Sequence, residues 1–157
     1  MKLSDAQALV DWSMARHGLT DWKFRLDSAK RRAGCCNYTY RTISLSRHYV
    51  LLNPVESIRD TILHEIAHAL VGPGHHHNEV WKAKCVEIGA KPVRCYSDAT
   101  TAMPEPKWLA VCAGCLTEFK RHKRPARNRM VWHGKCGKEK GQLTFTCRKV
   151  NFNKNPD

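Results

Sequence analysis

The feature that most constrains this chain is the segment at residues 61–81, which reads TILHEIAHALVGPGHHHNEVW. It contains five of the nine histidines, and two of them flank a glutamate in the pentapeptide HEIAH. Residues 55–71 show helical periodicity after the start signal Asn53-Pro54. At about 100° per residue, the isoleucines share one apolar arc, and His64 and His68 fall on the opposite side. We therefore expect an amphipathic helix that directs both imidazoles away from its core contact.

The spacing of four residues brings the rings of His64 and His68 close enough to bind one metal ion, with Glu65 rotated to the side. This pattern is typical of zinc hydrolases, in which neutral imidazoles bind Zn²⁺ and a carboxylate accepts a proton from water. A catalytic zinc needs a third protein ligand, and Gly72-Pro73-Gly74 predicts a sharp reversal after the helix. Spacing alone leaves several candidates for that ligand: His75, His76, His77, Glu79 and Glu87.

The segment HEIAHALVGPGHHHNEVW resembles the signature of the SprT-like metallopeptidases, the family of bacterial SprT and the Spartan proteases. That signature joins HExxH, a turn, and a histidine followed four residues later by tryptophan or phenylalanine, here His77 and Trp81. The resemblance implies that His64, His68 and His77 bind a catalytic zinc and that Glu65 is the catalytic base. It also implies a zincin-like α+β domain, a C-terminal zinc ribbon, and cleavage of proteins that are bound or crosslinked to DNA.

Two other HExxH patterns fit less well. The metzincin pattern requires glycine and histidine where this chain has Val71 and Gly74. The gluzincin pattern requires a glutamate from a later helix, for which Glu87 is a poor second to the histidines. We therefore expect the histidine ligand set.

The helix and strand signals in the rest of the first 98 residues predict an α+β metallopeptidase domain. A first helix is expected to end at Gly18, and residues 22–52, including HYVLLN, are strand-like and predict a small antiparallel sheet of about three strands. Asn78 is expected to begin a further short helix that Gly89 ends. Prolines and small polar residues then indicate a linker at 99–106.

Residues 107–157 are predicted to form a small zinc ribbon. Cys112-Ala-Gly-Cys115 places two thiolates at metal-ligand spacing, and His133-Gly-Lys-Cys136 has the same two-residue gap. We expect a structural zinc on Cys112, Cys115, His133 and Cys136, with Cys147 as the main rival to His133 and His122 as a weaker one. So short a module has few apolar residues and needs a metal to fold.

The charge of the chain is concentrated in this module. Residues 107–157 carry 13 Lys and Arg against 3 Asp and Glu, and KRHKRPARNR alone carries six positive charges without an acid. Such a segment neutralises phosphates largely without regard to sequence, so we expect nucleic acid as a partner. The resemblance to the SprT-like family implies that this nucleic acid is DNA. RNA or an acidic protein surface is the alternative partner.

The other general features point to an intracellular zinc protein. The sequence has no long apolar run that would span a membrane and no secretory leader, so we expect a cytoplasmic protein, which would be nucleoid-associated if it binds DNA. We expect the chain to be a monomer. In a reducing compartment, cysteines at short spacing favour metal ligation, and Cys35, Cys36, Cys85 and Cys95 are interpreted as buried thiols. The expected function is a zinc-dependent endopeptidase that cleaves protein substrates. The alternative is a non-catalytic nucleic-acid-binding protein with two structural zinc ions.

Overall fold

The computed structural model describes residues 1–94, 101–126 and 130–148. The chain divides into two compact units, Met1–Pro104 and Glu105–Asp157. The elements of the first unit are, in chain order, α1 (Leu3–Arg16), β1 (Lys23–Asp27), β2 (Gly34–Asn37), β3 (Thr42–Ser46), α2 (Arg47–Leu52), α3 (Val55–Val71) and α4 (Glu79–Ile88). Those of the second unit are β4 (Trp108–Val111), β5 (Glu118–Arg121), α5 (Gly137–Lys140) and β6 (Thr146–Cys147). This mixed content confirms the predicted α+β class.

The sheet of the first unit has three strands in the order β1-β3-β2. β2 and β3 pair antiparallel and are joined by residues 38–41, as in a hairpin. β1 instead pairs parallel with β3, from Lys23↔Thr42 to Asp27↔Ser46. The sheet is therefore mixed, and the prediction of a wholly antiparallel sheet was wrong in this respect. The reason is the connection at 28–33, which carries the chain past β3 to its far edge, so that β1 and β2 never pair.

The segment HYVLLN was predicted to be strand-like, and this was wrong: residues 47–52 form α2. The Ser46 side chain caps this helix by accepting a hydrogen bond from the Tyr49 backbone N–H at 3.3 Å. Tyr49 and Val50 are fully buried against the core. A capped first turn and a buried face thus outweigh the β propensity of Tyr and Val, which is a weak determinant on its own.

Helix α3 connects the two apolar clusters of the first unit. Its isoleucines Ile58, Ile62 and Ile66 are fully buried in the main core, which also contains residues of α1, β3 and α2. Its other side packs on α4, where Leu63 and Ala67 contact Trp81 and Cys85. The predicted isoleucine arc is confirmed. Because both sides are packed, α3 is a rigid support for the polar residues on its third side.

Residues 101–104, which lie inside the predicted linker, belong to the first unit. Ala102 exchanges two hydrogen bonds with the Asn53 side chain, at 2.8 and 2.9 Å. Met103 packs against the main core. The six residues that precede them, 95–100, lie outside the described residues, and so does Cys95.

The second unit is a small antiparallel sheet in the order β5-β4-β6. Among the residues that the structure describes, its buried apolar cluster consists of Ala110, Cys112 and Leu143, with partly buried residues around it. So small a core agrees with the expectation that a metal stabilises this unit. In the described part of the chain, no helix combines the length and the apolar character needed to cross a membrane.

Candidate active site

Helix α3 carries His64, Glu65 and His68 on its last two turns. The helix ends at Gly72, whose φ of 81° lies in the left-handed region that favours glycine, and whose N–H donates to His68 O at 3.1 Å. The chain then reverses, and the Asn78 side chain caps α4 by accepting a hydrogen bond from Trp81 N–H at 3.2 Å. The reversal between these two helices places His77 opposite the histidines of α3.

The imidazoles of His64, His68 and His77 converge through their Nε2 atoms. His77 Nε2 lies 3.2 Å from His68 Nε2 and 3.3 Å from His64 Nε2. Ligands at about 2.0–2.1 Å from a tetrahedral zinc lie about 3.3–3.4 Å from one another. The three histidines can therefore hold a metal ion, and their spacing suits zinc without movement of the backbone.

Trp81 supports all three rings from the α4 side. Its side chain is fully buried, and its ring centroid lies 4.6–5.1 Å from the centroids of His64, His68 and His77. A large rigid aromatic group at this position limits the rotamers that the imidazoles can adopt. The tryptophan of the signature thus packs directly against the histidine cluster.

The environment keeps these imidazoles neutral. Burial, reinforced by the neighbouring histidines, lowers the pKa of His64 to about 4. Burial and the charges of His77 and His76 lower the pKa of His68 to about 4 as well. The pKa of His77 is also lowered, by burial and then by Arg94 and His76. Neutral imidazole is the form that binds a metal, so the site is prepared for ligation at neutral pH.

Glu65 is buried beside the cluster, with 7% of its surface exposed. Burial raises the pKa of its carboxyl to about 7, while the positive charge of Arg32 and a backbone hydrogen bond with Cys36 act in the opposite direction. A carboxyl that titrates near neutral pH can both accept and donate a proton under ordinary conditions. Glu65 therefore has the properties of a general acid–base group.

Gly34 leaves the space that the Glu65 carboxylate occupies beside strand β2. A Cβ atom at position 34 would stand 2.7 Å from Glu65 Oε1 and 2.8 Å from its Cγ, far closer than ordinary contact. The glycine is thus needed for close approach of the edge strand β2 to the side chain. Sequence reasoning missed this residue, because the contact joins positions 31 residues apart and no local pattern marks it.

A cavity of about 540 Å³ lies beside the histidine cluster and Glu65, which is in the usual size range for ligand sites. Two further residues from the β2 hairpin line it. Tyr38 donates a hydrogen bond from its hydroxyl to His68 O at 3.2 Å. Cys36 is half-buried, and burial raises the pKa of its thiol to about 12. Cys36 was predicted to be merely a buried thiol, and its place in this cavity could not be read from cysteine spacing.

The other candidates for the third ligand lie elsewhere. His75 approaches the Asn78 side chain at 3.3 Å, and His76 lines the cavity without joining the converging nitrogens. Glu79 and Glu87 form exposed ion pairs with neighbouring lysines of α4. Among the candidates left open by spacing, the structure therefore brings His77 alone to the α3 histidines.

In the second unit, Cys112, Cys115, His133 and Cys136 form a group whose ligand atoms lie within 4.8 Å of one another. Cys115 Sγ and Cys136 Sγ approach His133 Nδ1 at 3.2 and 3.5 Å. Zinc bound by sulfur at about 2.3 Å and by nitrogen at about 2.0 Å would separate these atoms by about 3.5 Å. These four residues can hold a metal. Neither Cys147 nor His122 belongs to the group.

The model of the SprT-like family matches residues 3–102, which include the whole of the histidine site and nearly the whole first unit. A search of curated proteins finds no match to the chain. The ribbon residues lie outside the matched region.

Proposed function

The chain belongs to the SprT-like family, and from this premise we propose that it is a zinc-dependent endopeptidase that acts on DNA-bound or DNA-crosslinked proteins. The observation that carries the proposal is the convergence of His64, His68 and His77 at zinc-ligand spacing beside the buried carboxylate of Glu65. A purely structural metal site has no need of such a carboxylate, which costs free energy to bury.

In this proposal, His64, His68 and His77 would hold the catalytic zinc. A zinc ion there would supply Lewis-acid chemistry, which polarises a carbonyl and lowers the pKa of water. Three protein ligands leave one tetrahedral position open, as in catalytic zinc sites. The cavity next to the cluster offers space for a substrate.

Glu65 would transfer the proton. Its carboxylate oxygen accepts a proton from the attacking water molecule, and the same oxygen then donates that proton to the amine nitrogen as the peptide C–N bond breaks. A pKa raised by burial suits both steps, because the group is neither a very weak base nor a very weak acid.

The second unit would hold the chain on nucleic acid. Cys112, Cys115, His133 and Cys136 would bind a structural zinc and so order a surface that carries many exposed lysines and arginines. Two of these arginines lie over aromatic rings, Arg121 over Phe145 and Arg124 over Trp108. Cations beside aromatic faces suit phosphates and bases, and the proposed partner is DNA. Tethering would raise the local concentration of DNA-bound protein substrates.

The enzymatic part is tested with Glu65→Gln, which keeps the shape of the side chain and removes its basicity. We expect this variant to keep the zinc content of the wild type and to lose cleavage of an unfolded protein substrate by at least about a hundred-fold. The matched control is Glu79→Gln, because Glu79 is an exposed carboxylate on α4 that pairs with Lys82 and does not belong to the histidine cluster. If Glu65→Gln retained zinc and full activity on the physiological target, the non-catalytic binding function would be favoured instead.

The DNA-directed part is tested by neutralising the exposed cations of the ribbon without removing its metal ligands. The variant replaces four exposed residues with glutamine, namely Lys120, Arg121, Lys123 and Arg124. We expect cleavage of a free unfolded protein to be retained and DNA-stimulated cleavage to be lost. Equal loss of both activities, with zinc content intact, would contradict the tethering role.

A further inference from the structure

The cavity beside the histidine cluster is strongly cationic. Three arginines line it, namely Arg31, Arg32 and Arg94, and Glu65 is the one acidic residue among its described lining residues. Arg32 is close enough to Glu65, and Arg94 to His77, for each guanidinium charge to act on that group. The charges of Arg32 and Arg94 therefore lie next to the proposed reaction centre, and Arg31 lines the same cavity.

These arginines differ in whether a carboxylate of the same chain already neutralises their charge. Arg32 donates to Asp27 at 2.5 Å and approaches the Ser44 hydroxyl at 3.5 Å, so much of its charge is neutralised within the fold. Arg31 and Arg94 are exposed, and neither forms an ion pair with another residue in the described ranges. As far as the described residues show, two guanidinium groups at the cavity are thus available to a ligand.

We propose that the cavity selects polypeptide segments that carry aspartate or glutamate next to the scissile bond, with Arg31 and Arg94 as the specificity-determining residues. This proposal rests on the peptidase function above and adds its substrate class. Unit charges about 6 Å apart in water attract one another enough to change affinity about three-fold, so two arginines correspond to about ten-fold. Lysine at the same substrate positions would be repelled to a similar degree.

A peptide fits the observations better than a nucleic acid strand does. The cavity is compact, and two available cations are few compared with the many exposed cations of the ribbon. Nucleic acid binding depends on many phosphate contacts along an extended surface. On a DNA-bound substrate, the preference would direct cleavage to acidic stretches and away from the basic segments that contact phosphates.

The test compares three unstructured fluorogenic peptides that differ only in the residues flanking the scissile bond, which are glutamate, glutamine or lysine. The zinc-loaded full chain is expected to cleave them with kcat/KM in the order Glu, Gln, Lys, spanning about a hundred-fold at low salt and less at high salt. In Arg31→Gln/Arg94→Gln, the ratio between the Glu and Lys peptides should fall to near one. Arg16→Gln, a loss of exposed charge on α1, is the control and should leave the ratio unchanged.

A binding measurement separates this proposal from the peptidase function. The zinc-loaded Glu65→Gln protein should bind the Glu peptide about ten-fold more tightly than the Gln peptide, and the double arginine variant in that background should not. If no peptide is cleaved yet this binding order holds, the peptidase function fails and the charge selectivity stands. If cleavage occurs without the order, or if an oligonucleotide displaces the Glu peptide through Arg31 and Arg94, the proposal is overturned.

Discussion

Replacing Gly34 with alanine is expected to displace the Glu65 carboxylate and to lower peptidase activity about a hundred-fold. The new Cβ would lie 2.7 Å from Glu65 Oε1 and 2.8 Å from Cγ, whereas ordinary contact begins at 3.4 Å. The separation must therefore grow by about 0.7 Å to reach ordinary contact, by movement of either β2 or the side chain. A displacement of about 1 Å at a reacting group is enough to reduce a rate by about 10².

The same change should lower the free energy of unfolding only modestly. Overpacking of this kind destabilises by about 1–3 kcal/mol, and the lower chain entropy of alanine in the unfolded state offsets part of that amount. The histidine cluster lies on α3 and just before α4, so zinc content should be retained. The assay is kcat/KM on an unstructured peptide, with zinc content and thermal unfolding measured on the same sample.

Gly134→Ala is the matched control, because a Cβ at Gly134 would meet no atom within 4 Å. It should behave as the wild type in all three measurements. If Gly34→Ala kept its zinc and its activity within about two-fold, the position of the carboxylate could not depend on the space that Gly34 leaves open.

Three further predictions follow from the two metal clusters and the buried carboxylate. In zinc-free protein, Glu65→Gln should raise the stability of the first unit by about 3 kcal/mol above pH 7, because the wild type ionises a buried carboxyl whose pKa is about 7 when folded and ordinary when unfolded. The stabilisation should vanish below about pH 4.5, where the carboxyl is protonated in both the folded and the unfolded state. Amide hydrogen exchange of α1 and α3 measures this stability, and a difference between variant and wild type that does not change with pH would contradict the prediction. Trp81→Phe should keep the fold and lower zinc affinity at the histidine site about ten-fold, measured by chelator competition, because a smaller ring supports the imidazoles less closely; unchanged affinity would show that the packing is incidental. Cys112→Ser and His77→Ala should each lower zinc content from two ions per chain to about one, and only Cys112→Ser should unfold the second unit, as observed by its loss of dispersed NMR signals.

Much of the candidate site was predictable because it depends on local geometry. The i, i+4 spacing of His64 and His68 fixes their common face once residues 55–71 are helical, and the isoleucine arc fixes which side is buried. The choice of His77 among five candidates came from the resemblance to the SprT-like family and not from spacing. Its approach to the α3 histidines depends on the angle between two helices, which the residues between them do not determine by themselves.

The features that escaped prediction depend on tertiary contacts. Gly34, Cys36 and Tyr38 reach the site only because β2 lies on the far edge of the sheet and packs against α3. The parallel pairing of β1 with β3 has no sequence signature that distinguishes it from a meander. In α2, the β propensity of Tyr49 and Val50 predicted a strand. The cap at Ser46 and the burial of one helix face outweigh that propensity, so the segment is helical.

The central claim is that one zinc ion is bound by His64, His68 and His77 next to Glu65. It is tested most directly by an anomalous difference map collected at the zinc absorption edge from crystals of the full chain. We expect a peak about 2.0–2.1 Å from the Nε2 atoms of all three histidines, on the side that faces the cavity. A map with zinc at the cysteine cluster and none among these histidines, or with their rings turned apart, would contradict it.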